Sequence, residues 1–265
     1  MIIIGERLNS SRRAVFEALQ KRDAEYICGQ ALGQEKAGAV YIDLNAAAML
    51  DGEIETLRWA IPLIQGTVRA PLSLDTPNPE AMEAALSIHK GRALLNSLSG
   101  ESACLDAMIP LIRRHKPRVI ALCLDKEGPP LSPEVALARA RKMTEILRAA
   151  GLALEDIFID PLVRPIGVDY RTGPVFLDSV ETIKRSLAGA KTIAGISNVS
   201  FGLPQRRLLN RTFLALAMAK GLDAAICDPL DADIQAAVAA SDALLGQDPS
   251  LKRYLAHIRA QHKKA

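Results

Sequence analysis

The first polar residues after each short apolar run of this chain are nearly all carboxylates or amides: Glu6 and Asn9, Asp43 and Asn45, Asp75, Asn96, Asp125, Asp160, Ser197 with Asn198, and Asp228. No His or Lys is among them. The four histidines, His89, His115, His257 and His262, fall near helix ends or in the terminal segment. A Ser-His-Asp triad and a His-based metal site therefore have no candidates. Lys126, beside Asp125, reads as a solvated loop charge and not as a Schiff-base amine.

A lone Asp after a strand is often a helix cap or turn residue. Two of these sit in less ordinary settings. Ser73-Leu74-Asp75 runs into Thr76-Pro77-Asn78, and Phe158-Ile159-Asp160 into Pro161-Leu162. Each places a carboxylate at an apolar rim, where desolvation calls for a partner: a cation, a metal ion or a flat array of N–H donors. A metal cluster of Asp43, Asp75, Asp125 and Asp160 is diluted by Asn96 and Asn198, so no tightly bound metal is expected. A flat heterocycle fits better. A carboxylate accepts two parallel N–H bonds from a ring N–H and its neighbouring amino group, and a carboxamide both donates and accepts. The aminopyrimidinone edge of a pterin has that pattern.

Eight apolar, β-branched runs read as strands buried on both faces: Ile2–Ile4, Val40–Leu44, Leu72–Leu74, Ala93–Leu95, Val119–Leu124, Ile157–Ile159, Thr192–Ile196 and Ala224–Cys227. Segments of helical period separate them. Ser10 or Ser11 is placed to cap Arg12–Gln20, and Tyr26–Lys36 follows. Then come Glu53–Ile64, Pro79–His89 behind an Asn78 cap, and Glu101–His115. Ser132 opens a helix that Gly151 closes, followed by Val175–Leu187, Gln205–Lys220, Asp231–Leu245 and a last helix near Leu251–Arg259. An eightfold β-α alternation without a composition break closes most simply as a (β/α)8 TIM barrel, one α/β domain over residues 1–265. An open doubly wound sheet would want a glycine-rich phosphate loop, and Gly5-Glu6-Arg7-Leu8-Asn9 is not one.

The length agrees, since such a barrel needs about 250 residues and the chain has 265. With 49% apolar and 24% charged residues it is neither disordered nor membrane-spanning in composition. A net charge of +3 makes no case for nucleic acid or an anionic membrane. The basic tail His257–Ala265 reads as a solvated last turn. Cys28, Cys104, Cys123 and Cys227 form no C-x-x-C pair, and Cys123 and Cys227 lie in apolar runs as small buried residues. The start, MIIIGERLN, is no secretion signal, so a cytoplasmic location is expected.

In order along the chain, Gly5–Asn9, Ile42–Asn45, Leu74–Thr76, Leu95–Ser97, Ile159–Leu162 and the stretch Gly195-Ile196-Ser197-Asn198-Val199-Ser200-Phe201-Gly202-Leu203-Pro204, running on through Asn210–Leu214, resemble the pterin-binding methyltransferases that act between methyltetrahydrofolate and a corrinoid protein. The last stretch is also similar to the folate module of cobalamin-dependent methionine synthase. The resemblance implies that Asp75, Asn96 and Asp160 hold the pterin. It implies that Asn198 stands beside the ring nitrogen carrying the methyl group, and that Gly202 and Arg206 approach the outer part of the folate or the corrin. Glu6, Asn9, Asp43, Asn45 and Ser197 would support them from behind. It further implies tetrahydrofolate or methyltetrahydrofolate as substrate, and a homodimer. A corrinoid (cobalamin) would be delivered by a separate protein, since the chain has no D-x-H-x-x-G pattern. Loops Asp125–Leu131 and Pro161–Pro174 would meet that protein.

Three other activities are compatible with such a pocket. Dihydropteroate synthase must bind a pyrophosphate leaving group near the last strands, and Ile226-Cys227-Asp228-Pro229 offers no basic side chain. A non-catalytic folate-binding subunit and a carboxylate-metal hydrolase are the others.

Overall fold

The computed structural model describes residues 1–262. The basic tail runs past them: Lys263 and Lys264 lie outside the described residues, as does the side chain of His262. Eight strands, β1 (Ile2–Asn9), β2 (Tyr41–Asn45), β3 (Leu72–Asp75), β4 (Leu94–Leu98), β5 (Arg118–Leu122), β6 (Ile157–Asp160), β7 (Lys191–Gly195) and β8 (Ala224–Cys227), pair in parallel in sequence order. β1 pairs with β8 and closes the barrel.

Helices α1 (Arg13–Lys21) and α2 (Ala24–Lys36) lie between β1 and β2. α3 (Glu53–Gln65), α4 (Pro79–Ile88), α5 (Ser102–His115), α6 (Pro133–Ala149), α7 (Thr172–Ser186) and α8 (Arg206–Ala219) each make one crossover. α9 (Ala232–Leu244) and α10 (Lys252–His262) follow β8. Asn78 and Ser132 cap α4 and α6 as expected, accepting from backbone N–H groups of the first turn. Among the described residues no helix is long and apolar enough to cross a membrane.

Two local expectations fail. Neither Ser10 nor Ser11 caps α1, whose cap position is Arg12 with no side-chain bond. Ser10 instead donates from Oγ to Asn45 Oδ1 at 2.8 Å and accepts from Ala48 N–H at 3.0 Å. β1 also runs well past Ile4. A register shift between Gly5 and Leu8 carries it to Asn9, which pairs beside Asn45. Such a bulge re-aims side chains at a barrel rim.

The barrel interior explains where the chemistry sits. Residues two apart on a strand face the same side. Ile4, Tyr41, Leu94, Ile120, Phe158, Ile193 and Ala224 pack together as an apolar plug inside the barrel. Two residues on, toward the C-terminal ends, the same faces present Glu6, Asp43, Asn96, Leu122, Asp160, Gly195 and Ile226. The polar ring is thus the next layer of the barrel interior, seated on the plug. Phe158 is only 1% exposed. Phe158→Ala should therefore destabilise the fold by about 3–5 kcal/mol, read as a lowered urea midpoint with an unchanged slope.

Candidate functional site

A cavity of about 670 Å³ opens at the C-terminal ends of the strands. That volume suits a small organic ligand. Glu6, Asn9, Asp43, Asp75, Asn96, Ser197, Asn198 and Arg206 are on its wall. Glu6, Asn9, Asp43 and Ser197, expected behind the ligand, therefore face the cavity directly. Of that supporting group, Asn45 does stand behind: its Nδ2 donates to Asp75 Oδ2 at 3.0 Å. The Ala48–Ser10–Asn45 chain of hydrogen bonds fixes that amide, so Asp75 keeps its other oxygen for a ligand.

Asp43 and Asn96 are coupled in the same way. Asp43 Oδ1 accepts from Ser73 Oγ at 2.6 Å and from Asn96 Nδ2 at 3.0 Å. Asn96 consequently leaves its carbonyl oxygen without a protein donor among the described residues, ready to accept an N–H. Burial, and then the neighbouring Asp75 charge, push the Asp43 carboxyl well above the usual carboxylate range. Asp75 is raised too, chiefly by burial and also by Glu53, with the Asn45 bond opposing.

Asp160 ends β6 on the same register but lies off the wall of this cavity. It is buried, and its Oδ1 accepts from Leu162 N–H at 2.7 Å. Burial pushes its carboxyl up to about 7 despite that bond. Glu6 is pushed up to about 6, first by burial and then by Asp228, with Arg12 and Arg206 pulling the other way.

The turn after β7, a short 3-10 segment over Ile196–Ser200, carries Ser197 and Asn198. Asn198 is exposed to the cavity, and its amide makes no hydrogen bond to the described residues. A Cβ on Gly195 would stand 3.1 Å from Asn198 Nδ2, so glycine is what lets this amide lie against the strand end. Arg206, the first residue of α8, clamps the turn: its Nη2 donates to Ser197 O at 2.8 Å and its Nε to Ser200 Oγ at 3.1 Å. Gly202 lies just outside the cavity wall, at a φ of +78° that favours glycine.

Several strand-end residues do other work. The Asp125 carboxylate accepts from buried Arg139 at 2.7 Å, and Arg139 also bonds the carbonyls of Cys123 and Gly128. Asp125 therefore anchors its own loop and is absent from the cavity wall. Loops 123–132 and 161–171 meet around a second cavity of about 200 Å³, lined by Pro130, Leu131, Leu162 and Phe176 among others. The second loop is shorter than expected, because α7 begins at Thr172. His89 sits at the opposite end of the barrel, bonded to Leu72 N–H where β3 starts. Among the described residues no three His, Cys, Asp or Glu side chains are grouped as metal ligands would be.

The last strand is not devoid of basic neighbours, as its own residues suggested. Arg7 pairs with Asp228 at 2.8 Å and Arg207 with Asp231 at 2.8 Å. Arg12 and Arg207 also reach the cavity wall, with Asn210 and Asp231. These come from loops and helix starts, where no period-2 pattern marks a side chain as inward.

The family model described as pterin binding enzyme matches residues 5–228. This chain belongs to the pterin-binding enzyme family. Within that family it is 35% identical over 256 residues to the methylcorrinoid:tetrahydrofolate methyltransferase of Eubacterium limosum, across 96% of this chain and 94% of that protein. It is 26% identical over 239 residues to the methionine synthase of Mycobacterium leprae, spanning 85% of this chain and 20% of that longer protein. Among solved structures, a dihydropteroate synthase from Xanthomonas albilineans aligns over 93% of this chain with a TM-score of 0.70 at 18% identity. One from Clostridium difficile covers 92% of this chain and 96% of that chain with a TM-score of 0.69, also at 18% identity. Those two likenesses carry the barrel fold alone.

Proposed function

We propose that this pterin-binding enzyme transfers a methyl group between methyltetrahydrofolate and the cobalt of a corrinoid carried by a separate protein. The observation that carries this is the polar ring on the plug. Asp75 and Asn96 offer free acceptor oxygens side by side, as the paired N–H groups of a pterin edge require. The name of the Eubacterium limosum relative supports the choice of reaction. Asp160 adds a second carboxylate from β6.

The methyl-bearing ring nitrogen is a poor leaving group unless it gains a proton or a strong hydrogen bond in the transition state. Asn198 cannot ionise, but with its nitrogen lying against Gly195 its carbonyl oxygen is the atom left to face a developing N–H. Glu6, on the cavity wall and raised toward neutrality, is a carboxyl group able to hand a proton to the substrate. A cobalt(I) corrinoid supplies the nucleophile. The same residues serve either direction of transfer. Exposed apolar side chains on the mouth loops, Leu131, Val168, Tyr170 and Phe201, suit a visiting protein. We also place the enzyme in the cytoplasm, as a homodimer of one barrel domain per chain, following its resemblance to the corrinoid-dependent enzymes.

The deciding experiment mixes the protein with methyltetrahydrofolate and reduced cobalamin and follows the corrin spectrum. Conversion to methylcobalamin is expected. Absence of transfer in both directions, with product formed instead from pterin pyrophosphate and aminobenzoate, overturns the reading in favour of a synthase. Gly195→Ala should lower kcat by about tenfold or more through displacement of the Asn198 amide, with folate affinity little changed in a binding titration.

A further inference from the structure

The mouth cavity holds a pair of neighbouring acids, and the arginines on its wall, Arg12, Arg206 and Arg207, bond other groups and not these two. Asp43 and Asp75 lie on the same inward face of adjacent strands, offset by two register positions, with Asp43 opposite Ser73 and Asn45 opposite Asp75. From β1, Glu6 faces Asp43. From β4 only the neutral Asn96 faces it, and from α3 the buried Glu53 adds its charge near Asp75. No Lys or Arg among the described residues bonds Asp43 or Asp75. Two like charges this close cannot both be kept in a desolvated site, so one carboxyl retains a proton.

The hydrogen bonds say which one and where. Asp43 is the more deeply buried, at 3% exposed. Both of its donors, Ser73 Oγ and Asn96 Nδ2, end on the single oxygen Oδ1. Two donors on one oxygen is what the carbonyl oxygen of a carboxylic acid accepts with its two lone pairs. No described residue donates to Oδ2, and the side chain lines the cavity. Asp75, by contrast, takes the Asn45 amide on one oxygen and is less enclosed.

We propose that Asp43 is held as a neutral carboxylic acid whose Oδ2 hydroxyl donates a hydrogen bond to an acceptor atom of the pterin, a ring nitrogen or its carbonyl. This rests on the pterin reading given above and adds a specificity-determining residue to it. Asp75 and Asn96 read the N–H groups of the heterocycle, and Asp43 reads an atom between or beside them that has a lone pair. A pocket of ionised carboxylates alone would repel that atom. A buried acid kept neutral so that it can donate is an established device of enzyme sites.

The raised carboxyl fixes the sign of the pH dependence. Ligand binding needs the proton, so affinity is full while Asp43 is protonated and falls as pH rises through its titration. The test is a titration of methyltetrahydrofolate by fluorescence or calorimetry from acid to alkaline pH, on wild type, Asp43→Ala and Asp43→Asn. Asp43→Ala should weaken binding at neutral pH by about tenfold or more, because the partner atom of the ligand loses its donor. Asp43→Asn keeps a carbonyl for Ser73 and Asn96 and an N–H donor for the ligand. It should recover affinity to within about threefold of wild type and abolish the alkaline fall, which in wild type approaches about tenfold per pH unit. The infrared carbonyl band of protonated carboxyls in the folded, ligand-free protein at neutral pH, to which Asp160 and Glu6 also contribute, should lose the intensity of one carboxyl in Asp43→Asn, and an unchanged band overturns the proposal. Binding that is lost in a folded Asp43→Asn variant, or a wild-type affinity flat into the alkaline range, overturns the proposal and leaves the pterin reading standing. A wild-type protein that binds no methyltetrahydrofolate at any pH overturns both.

Discussion

Asn198→Ala should lower the rate of methyl transfer by about 10²-fold to 10³-fold, the usual cost of removing one transition-state hydrogen-bonding group. The dissociation constant for methyltetrahydrofolate should move by less than about threefold, well under 1.4 kcal/mol. The asymmetry follows from where the side chain stands. Its amide has no hydrogen bond to the described residues, so its loss leaves the turn over Ile196–Ser200 held by Arg206 and Ser200 as before. In the proposed role it contributes when charge develops on the ring nitrogen and little before that. Single-turnover kinetics with reduced cobalamin, set beside a folate titration, separate the two effects. Equal losses in rate and affinity would assign Asn198 to ordinary substrate binding.

Asp160→Ala should act in the opposite way. If the pterin edge reaches past the cavity wall to Asp160 as proposed, removing a carboxylate that would take its N–H bonds should cost about 1.5–3 kcal/mol, or about 10-fold to 150-fold in folate affinity, with the rate on saturated enzyme changed far less. A pH signature accompanies it. Burial raises this carboxyl to about 7, and only the ionised form accepts both N–H groups. Wild-type affinity should therefore strengthen as pH rises to about 7 and level off beyond it, the binding-linked analogue of stability linkage. Asp160→Asn should lose that acid limb as well as the affinity. A mutant that binds as tightly as wild type would show that Leu162, which holds Oδ1, is the sole partner of this carboxylate. Together with the alkaline fall expected from Asp43, the wild-type affinity profile should be bell-shaped, with each limb removed by a different asparagine.

How far the site could be read from the chain alone follows from strand geometry. The apolar runs of β2, β4 and β6 end in a polar residue because the interior face passes from plug to mouth within two residues, as Tyr41 to Asp43, Leu94 to Asn96 and Phe158 to Asp160 do. That step is visible in any linear sequence. The bulge in β1 is not. Glu6 and Asn9 follow an apparent three-residue run, and nothing in Gly5-Glu6-Arg7-Leu8-Asn9 announces that the strand continues to Asn9. Ser10 had the composition of a helix cap and was taken instead by Asn45, from a different strand. A local preference there yields to a tertiary bond. Asp125 has the same strand-end setting as the others in the ring, but Arg139, nearly two turns inside α6, claims it. Arg12 and Arg207 reach the mouth on long side chains from helix starts, and no alternation pattern predicts where a flexible arginine ends.

The seating of the ring on the plug restricts how this enzyme can change by descent. Deleting one residue from β2 would exchange the inward and outward faces of everything beyond it. Leu44 would then occupy the chamber and Asp43 would be driven between strand and helices, with no donor in place to receive it. Length variation within the strands is thereby confined to places where a bulge absorbs it, as in β1. New substrate preferences must come from replacing inward side chains one at a time, or from lengthening the surface connections that frame the entrance.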